Sequence, residues 1–234
     1  MGPVHTPAPT SRLYPVPWTP RDVWLSVASV ALLYSMAVFL LLRMPQLRQH
    51  GMAVLLGLEL LLVVPVGYVA GWKYRGGWET LGFRTFPYDA IKWGGLVLLQ
   101  FYLCTFVYGL VLMLFHLRMH TSVVSIVKRF SPWFLMLLAV VLTPVIEEMF
   151  FRGFVFAGLR QRYSLPTAAV VSAVLFAIGH LQWTLFVPLV VAGYLLADLY
   201  ERSNSLWPPM VIHAMVNTFA LGMTALRLRT GLPH

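Results

Sequence analysis

Apolar stretches long enough to cross a bilayer recur along this chain, at roughly 22–43, 51–72, 90–116, 132–158, 166–183, 185–200 and 207–227. A hydrocarbon core of about 30 Å takes about 20 helical residues, so each stretch reads as a membrane helix or most of one. The loops between them are too short to hold a second domain. The expected fold is therefore all-α: one polytopic transmembrane helix bundle of about seven to eight spans. The composition agrees: 59% of residues are hydrophobic and only 11% are charged, against about 25% charged in a soluble domain. The chain reads as an integral, multi-pass membrane protein, in the inner or plasma membrane if the source is bacterial.

The net charge of +9 would suggest nucleic acid in a soluble protein. Here the cations lie between the apolar runs, at Arg43, Arg48, Lys73, Arg75, Arg118, Lys128, Arg129, Arg160 and Arg162. Such charges meet anionic headgroups and set topology, and no nucleic-acid partner is expected. Cys104 is the single cysteine, which excludes an internal disulfide and a Cys-rich metal site.

Residues 1–21 are rich in proline and read as an extended tail. They lack the basic start and apolar core of a signal peptide, so the first span is expected to act as an uncleaved anchor. Residues 22–130 form N-terminal transmembrane helices and loops, 131–227 a core rich in buried polar groups, and 228–234 a short tail. The segment 117–131 mixes cations with valines and reads as an interfacial amphipathic helix or an extension of the third span. Glu59 is a lone carboxylate in the second run.

Ionisable groups at membrane depth are expensive, and by default they mark function. The fourth run carries Glu147-Glu148-Met149-Phe150-Phe151-Arg152. Glu148 and Arg152 are four apart and share a helix face, so they can pair. Glu147 is rotated by about 100° from Glu148, which leaves one carboxylate to be held and the other available for proton transfer. Pro144 is expected to free a backbone carbonyl near Val140 and to admit water there. Further on come Phe176-Ala177-Ile178-Gly179-His180 and His213-Ala214-Met215-Val216-Asn217, each pair again four apart. One alternative is that these side chains are interhelical glue. The other is that they assemble a carboxylate base, imidazoles that hold a water, and an amide donor for an oxyanion, the parts of peptide-bond hydrolysis.

These motifs, Glu-Glu-x-x-x-Arg, Phe-x-x-x-His and His-x-x-x-Asn in that order on separate apolar helices, resemble the CAAX protease and bacteriocin-processing (Abi) family of membrane proteases. Leu81-Gly82-Phe83-Arg84 looks like a short element found upstream in that family. The resemblance covers about residues 131–220 and implies a four-helix catalytic core. It implies that Glu147 activates the water with His180, that Glu148 and Arg152 support it, and that His213 and Asn217 stabilise the oxyanion. It further implies an endopeptidase acting on a membrane-associated or lipidated protein or peptide, near its C-terminus, in contact with membrane lipids. No cofactor is favoured. A zinc-dependent version of the same protease would draw its ligands from Glu147, His180 and His213. Two other readings stand beside it: a non-catalytic membrane partner or immunity protein that uses the cluster as glue, and a proton-coupled transporter relaying through Glu59 and the Glu147/Glu148 pair.

Overall fold

The computed structural model describes residues 13, 15–117 and 127–230. Most of the Pro-rich segment, the greater part of the expected interfacial segment and the last four residues lie outside the described residues. Eight helices organise the rest: α1 Pro20–Arg43, α2 Gly51–Lys73, the single turn α3 Trp78–Leu81, α4 Asp89–Leu114, α5 Pro132–Arg160, α6 Leu165–Gly179, α7 Phe186–Ser203 and α8 Trp207–Thr230. There is no strand among the described residues. Among the described residues six helices are long and apolar enough to cross a membrane, and α6 is a shorter apolar helix. The fold is the expected helical membrane bundle.

Local chemistry sets the helix starts. Thr19 caps α1 in a reciprocal capping box with Asp22, followed by Pro20 at the first helical position. Ser131 caps α5 ahead of Pro132, and Ser164 caps α6 ahead of Pro166. Pro208 and Pro209 open α8, where a missing N–H leaves little unsatisfied.

The helices form shells around α5. From Ile146 to Arg160 every residue of α5 is buried. Helices α2, α6, α7 and α8 pack on it, and α4 lies outside against α7 and α8. The outer helices expose large apolar side chains, such as Leu25, Leu32 and Phe39 of α1 and Leu99, Leu103 and Phe106 of α4. Lipid tails are as apolar as leucine, so such a surface carries no penalty in a bilayer.

Three polar contacts differ from a reading of simple loop charge. Arg160 is buried and pairs with buried Glu201 of α7 at 3.0 Å, so it does not meet headgroups. Lys73 reaches back to Asp22 at the start of α1, joined there by Tyr74. Leu13, Val16 and Trp18 are buried in the core, and the Trp18 indole donates to the Phe154 carbonyl at 3.0 Å. This end of the Pro-rich segment is therefore docked, because its apolar side chains find a seat against α5.

Two glycines fix how the core closes. Gly82 follows α3 with φ of 108°, a left-handed conformation that other residues adopt only with strain. Its carbonyl accepts from the Leu206 amide at 2.8 Å, which ties the Leu81–Arg84 element to the start of α8. Gly193 of α7 lies against α6 so closely that a Cβ there would stand 2.7 Å from the Ala173 Cα. Small residues permit this backbone approach between membrane helices. Gly193→Val should force α6 and α7 apart and destabilise the bundle by about 1–3 kcal/mol. Thermal melting of the detergent-solubilised protein, compared with wild type, checks it.

Candidate active site

The site forms where α5, α6 and α8 meet, on a helix whose own hydrogen-bond ladder is interrupted. Residues Met136–Leu142 of α5 run in the wide i→i+5 (π) register, and the Thr143 amide accordingly donates to the Leu138 carbonyl. The next partner in that register would join Pro144 to Ala139, but proline has no N–H. The orphaned carbonyl is thus Ala139, one residue earlier than the α-helical count to Val140 predicts. Asn217 of α8 takes it, donating from Nδ2 at 2.7 Å. Pi-register turns of this kind are frequent at functional sites, and Glu147 and Glu148 follow directly.

The two carboxylates have different surroundings. Glu148 is fully buried. Its Oε1 lies 2.9 Å from Arg152 Nη1 as an ion pair and accepts from His213 Nδ1 at 2.8 Å. Arg152, also fully buried, sits with its guanidinium 4.6 Å above the Phe176 ring, and Nη2 lies 3.4 Å from the Gly193 carbonyl. A cation over an aromatic face is attracted by the ring quadrupole. The pair is therefore neutralised, stacked and tied to α7 and α8 at once.

Glu147 has no such cation. Its Oε1 lies 3.9 Å from His180 Nε2 and its Oε2 lies 3.6 Å from His213 Nε2. Both distances exceed direct hydrogen bonding. The histidines are oriented by their other nitrogens. His180 Nδ1 lies 2.8 Å from the Phe176 carbonyl. A carbonyl only accepts, so Nδ1 carries the proton and, in the neutral ring, Nε2 presents its lone pair. His213 Nδ1 donates in the same way to Glu148, which turns its Nε2 toward Glu147.

All six residues singled out from the sequence meet in this region. Glu147, Glu148, Arg152, His180 and His213 form one contact network. Asn217 is set slightly apart: one of its amide hydrogens is committed to Ala139, while the side chain lines a cavity with His180 and His213. The apolar wall of that cavity is Val97 and Phe101 of α4 with Leu189 and Leu196 of α7.

Phe176 belongs to the second motif, yet its role is not apparent from spacing. It is the hub of the site, in ring contact with Phe151, His180 and His213 and beneath Arg152. Its motif position, one turn before His180, was the available signal. The Gly193 carbonyl and Thr143 carry no sequence signal as site residues, because each meets its side-chain partner more than forty residues away in the chain.

With this geometry in hand, the comparisons with known proteins are consistent. Residues 129–219 match the family model described as Type II CAAX prenyl endopeptidase Rce1-like. The chain is 32% identical over 80 residues to the Bacillus subtilis (strain 168) protein named "Putative membrane peptidase YdiL", which covers 34% of this chain and 33% of that protein. It is 28% identical over 90 residues to "UPF0177 protein YxdF" of Lactococcus lactis subsp. lactis (strain IL1403), covering 38% of this chain and 48% of that protein. The matches thus span a third to a half of these curated relatives. No solved structure matches. The matched segment is α5 to the middle of α8, which contains all six of these residues and the three motifs in order. Residues 129–219 are therefore similar to the CAAX protease family of membrane proteases.

Proposed function

We propose that the chain is an intramembrane endopeptidase that hydrolyses a peptide bond of a membrane-associated or lipidated substrate, near its C-terminus, with water activated by Glu147. The observation that carries this reading is the division of the two carboxylates. Glu148 is taken up by Arg152 and His213, whereas Glu147 has only two imidazole Nε2 atoms before it, at 3.9 and 3.6 Å. Gaps of this size suit a water held between polar groups.

In the proposed reaction the water oxygen, held between Glu147 and the His180 Nε2 lone pair, attacks the scissile carbonyl carbon. Its proton passes to Glu147. The resulting oxyanion is met by the remaining amide hydrogen of Asn217, the neutral donor on that side, and by His213 Nε2 when that ring is protonated, its Nδ1 hydrogen being held by Glu148. Collapse breaks the C–N bond, and Glu147 returns its proton to the leaving nitrogen. The wall of Val97, Phe101, Leu189 and Leu196 receives an apolar part of the substrate. The family description and the name of the Bacillus relative support a peptidase acting in the membrane.

The direct test uses purified protein in detergent micelles and two fluorogenic, internally quenched peptides. One carries an S-farnesyl cysteine four residues from its C-terminus, and the other is the same peptide without the lipid. Cleavage of either that depends on Glu147 supports the reading. Stable, folded protein that cleaves neither in reconstituted vesicles counts against it.

The zinc-dependent version is weaker on this geometry. Among the described residues no group of three or more His, Cys, Asp or Glu side chains is arranged to hold a metal ion. The Arg152 guanidinium, bound to the adjoining carboxylate, would also repel a cation. Hydrolysis should therefore persist at full rate after dialysis against EDTA and 1,10-phenanthroline, with residual zinc checked by mass spectrometry. Loss on chelation and recovery with Zn²⁺ would reverse this assignment. The reading as non-catalytic glue has support in the Asn217–Ala139 and Glu148–His213 bonds, which do join helices. It leaves Glu147 without a purpose.

A further inference from the structure

Glu59 lies in α2, outside the matched segment, and the reaction above does not use it. A carboxylate in the middle of an apolar membrane helix needs an explanation. Its Oε1 accepts a hydrogen bond from Thr143 Oγ1 of α5 at 2.9 Å, and its Oε2 is buried. Thr143 is four residues before Glu147, on the same helix face.

Several mid-helix threonine hydroxyls in this protein turn back on their own helix. Thr105, Thr218 and Thr224 each donate to the carbonyl four residues earlier, at 2.7 to 2.8 Å. For Thr143 that carbonyl would be Ala139, which accepts from Asn217, and the hydroxyl instead reaches across to Glu59 of α2. Two outside helices thus bind this stretch: α8 supplies the donor that α5 lacks at Ala139, and α2 supplies an acceptor for the Thr143 hydroxyl. Between Leu138 and Pro144 the ladder of α5 is irregular, so its course is set from outside by Asn217 and Glu59. Tyr34 of α1 donates to the Leu58 carbonyl at 2.9 Å and braces the residue next to Glu59.

We infer that Glu59 is a positioning residue: through its hydrogen bond with Thr143 it holds the interrupted part of α5 so that Glu147 faces His180 and His213. What it supplies is an acceptor at a fixed place, and an amide oxygen can serve the same purpose. The activity arm rests on the proposed protease reading, and a second arm does not.

The test compares full-length wild type, Glu59→Gln, Glu59→Leu, Thr143→Val and the Leu/Val double variant. In the activity arm, with the farnesylated quenched peptide, Glu59→Leu and Thr143→Val each lower kcat by about 10- to 100-fold, the scale of a small misplacement of a reacting group. KM stays near wild type, Glu59→Gln restores kcat to within a few-fold, and the double variant is no worse than either single one. Wild-type kcat in Glu59→Leu, a loss in Glu59→Gln equal to that in Glu59→Leu, or additive losses in the double variant would each overturn the inference. The second arm measures amide hydrogen exchange over residues 136–148 in micelles. Faster exchange confined to that stretch in Glu59→Leu and Thr143→Val, and restored in Glu59→Gln, supports the positioning contact. Unchanged exchange overturns it. If wild type cleaves no peptide, the protease reading fails while the exchange arm still decides the contact.

Discussion

Glu147→Gln is expected to abolish hydrolysis while leaving the protein folded. The substitution keeps the shape of the side chain and removes its capacity to take a proton from water. General acid–base catalysis by one positioned group contributes about 10²–10⁴-fold, and Glu147 is proposed to act twice, on the water and on the leaving nitrogen. A loss of kcat on the order of 10³-fold or more should follow, with KM little changed. Folding should tolerate the change, since Glu147 makes no direct hydrogen bond shorter than its 3.6 and 3.9 Å approaches to the histidines. Steady-state kinetics beside a melting curve separates the two effects. Turnover within ten-fold of wild type would remove Glu147 from the role of base.

The second large effect is on stability. Arg152→Met should destabilise the bundle by about 3–5 kcal/mol, the usual result of removing one partner of a buried ion pair. The cost arises because Glu148, fully buried, loses the guanidinium at 2.9 Å. The stacking on Phe176 and the contact with Gly193 go with it. Replacing both partners, as Glu148→Leu with Arg152→Met, should recover much of that stability, since no charge is then stranded. Neither variant should hydrolyse peptide. Equilibrium unfolding in mixed micelles of increasing SDS content measures the difference. Equal stability of Arg152→Met and wild type would show that the pair holds nothing in place.

These two predictions differ in how far they could be reached from the residues alone. The Glu148–Arg152 pair follows from a spacing of four on a helix, and the structure has it at 2.9 Å. The motif order likewise marked out the matched core. The inequality of the two glutamates was half legible: spacing says that they differ, but not what His213 does. Its Nδ1 binds Glu148, so the histidine closes the supporting pair as well as facing Glu147. The π register was not legible, since it depends on which carbonyls find outside donors. An α-helical count from Pro144 therefore points to Val140, where the structure leaves Ala139 for Asn217. Arg160 misleads for a related reason. It stands where an apolar run ends, and only the packing of α7 reveals Glu201 beside it.

By itself, then, the sequence determined the membrane helices, their approximate ends and the faces on which polar groups cluster. Hydrophobic run length and helical periodicity are local properties, set by the cost of bringing backbone and charge into lipid. Tertiary structure alone decided which helix satisfies which orphaned group. Asn217 to Ala139, Thr143 to Glu59 and Arg152 to Gly193 join residues 41 to 84 positions apart. Such pairings depend on how close the helices approach, and at α6–α7 that distance is set by the missing side chain of Gly193.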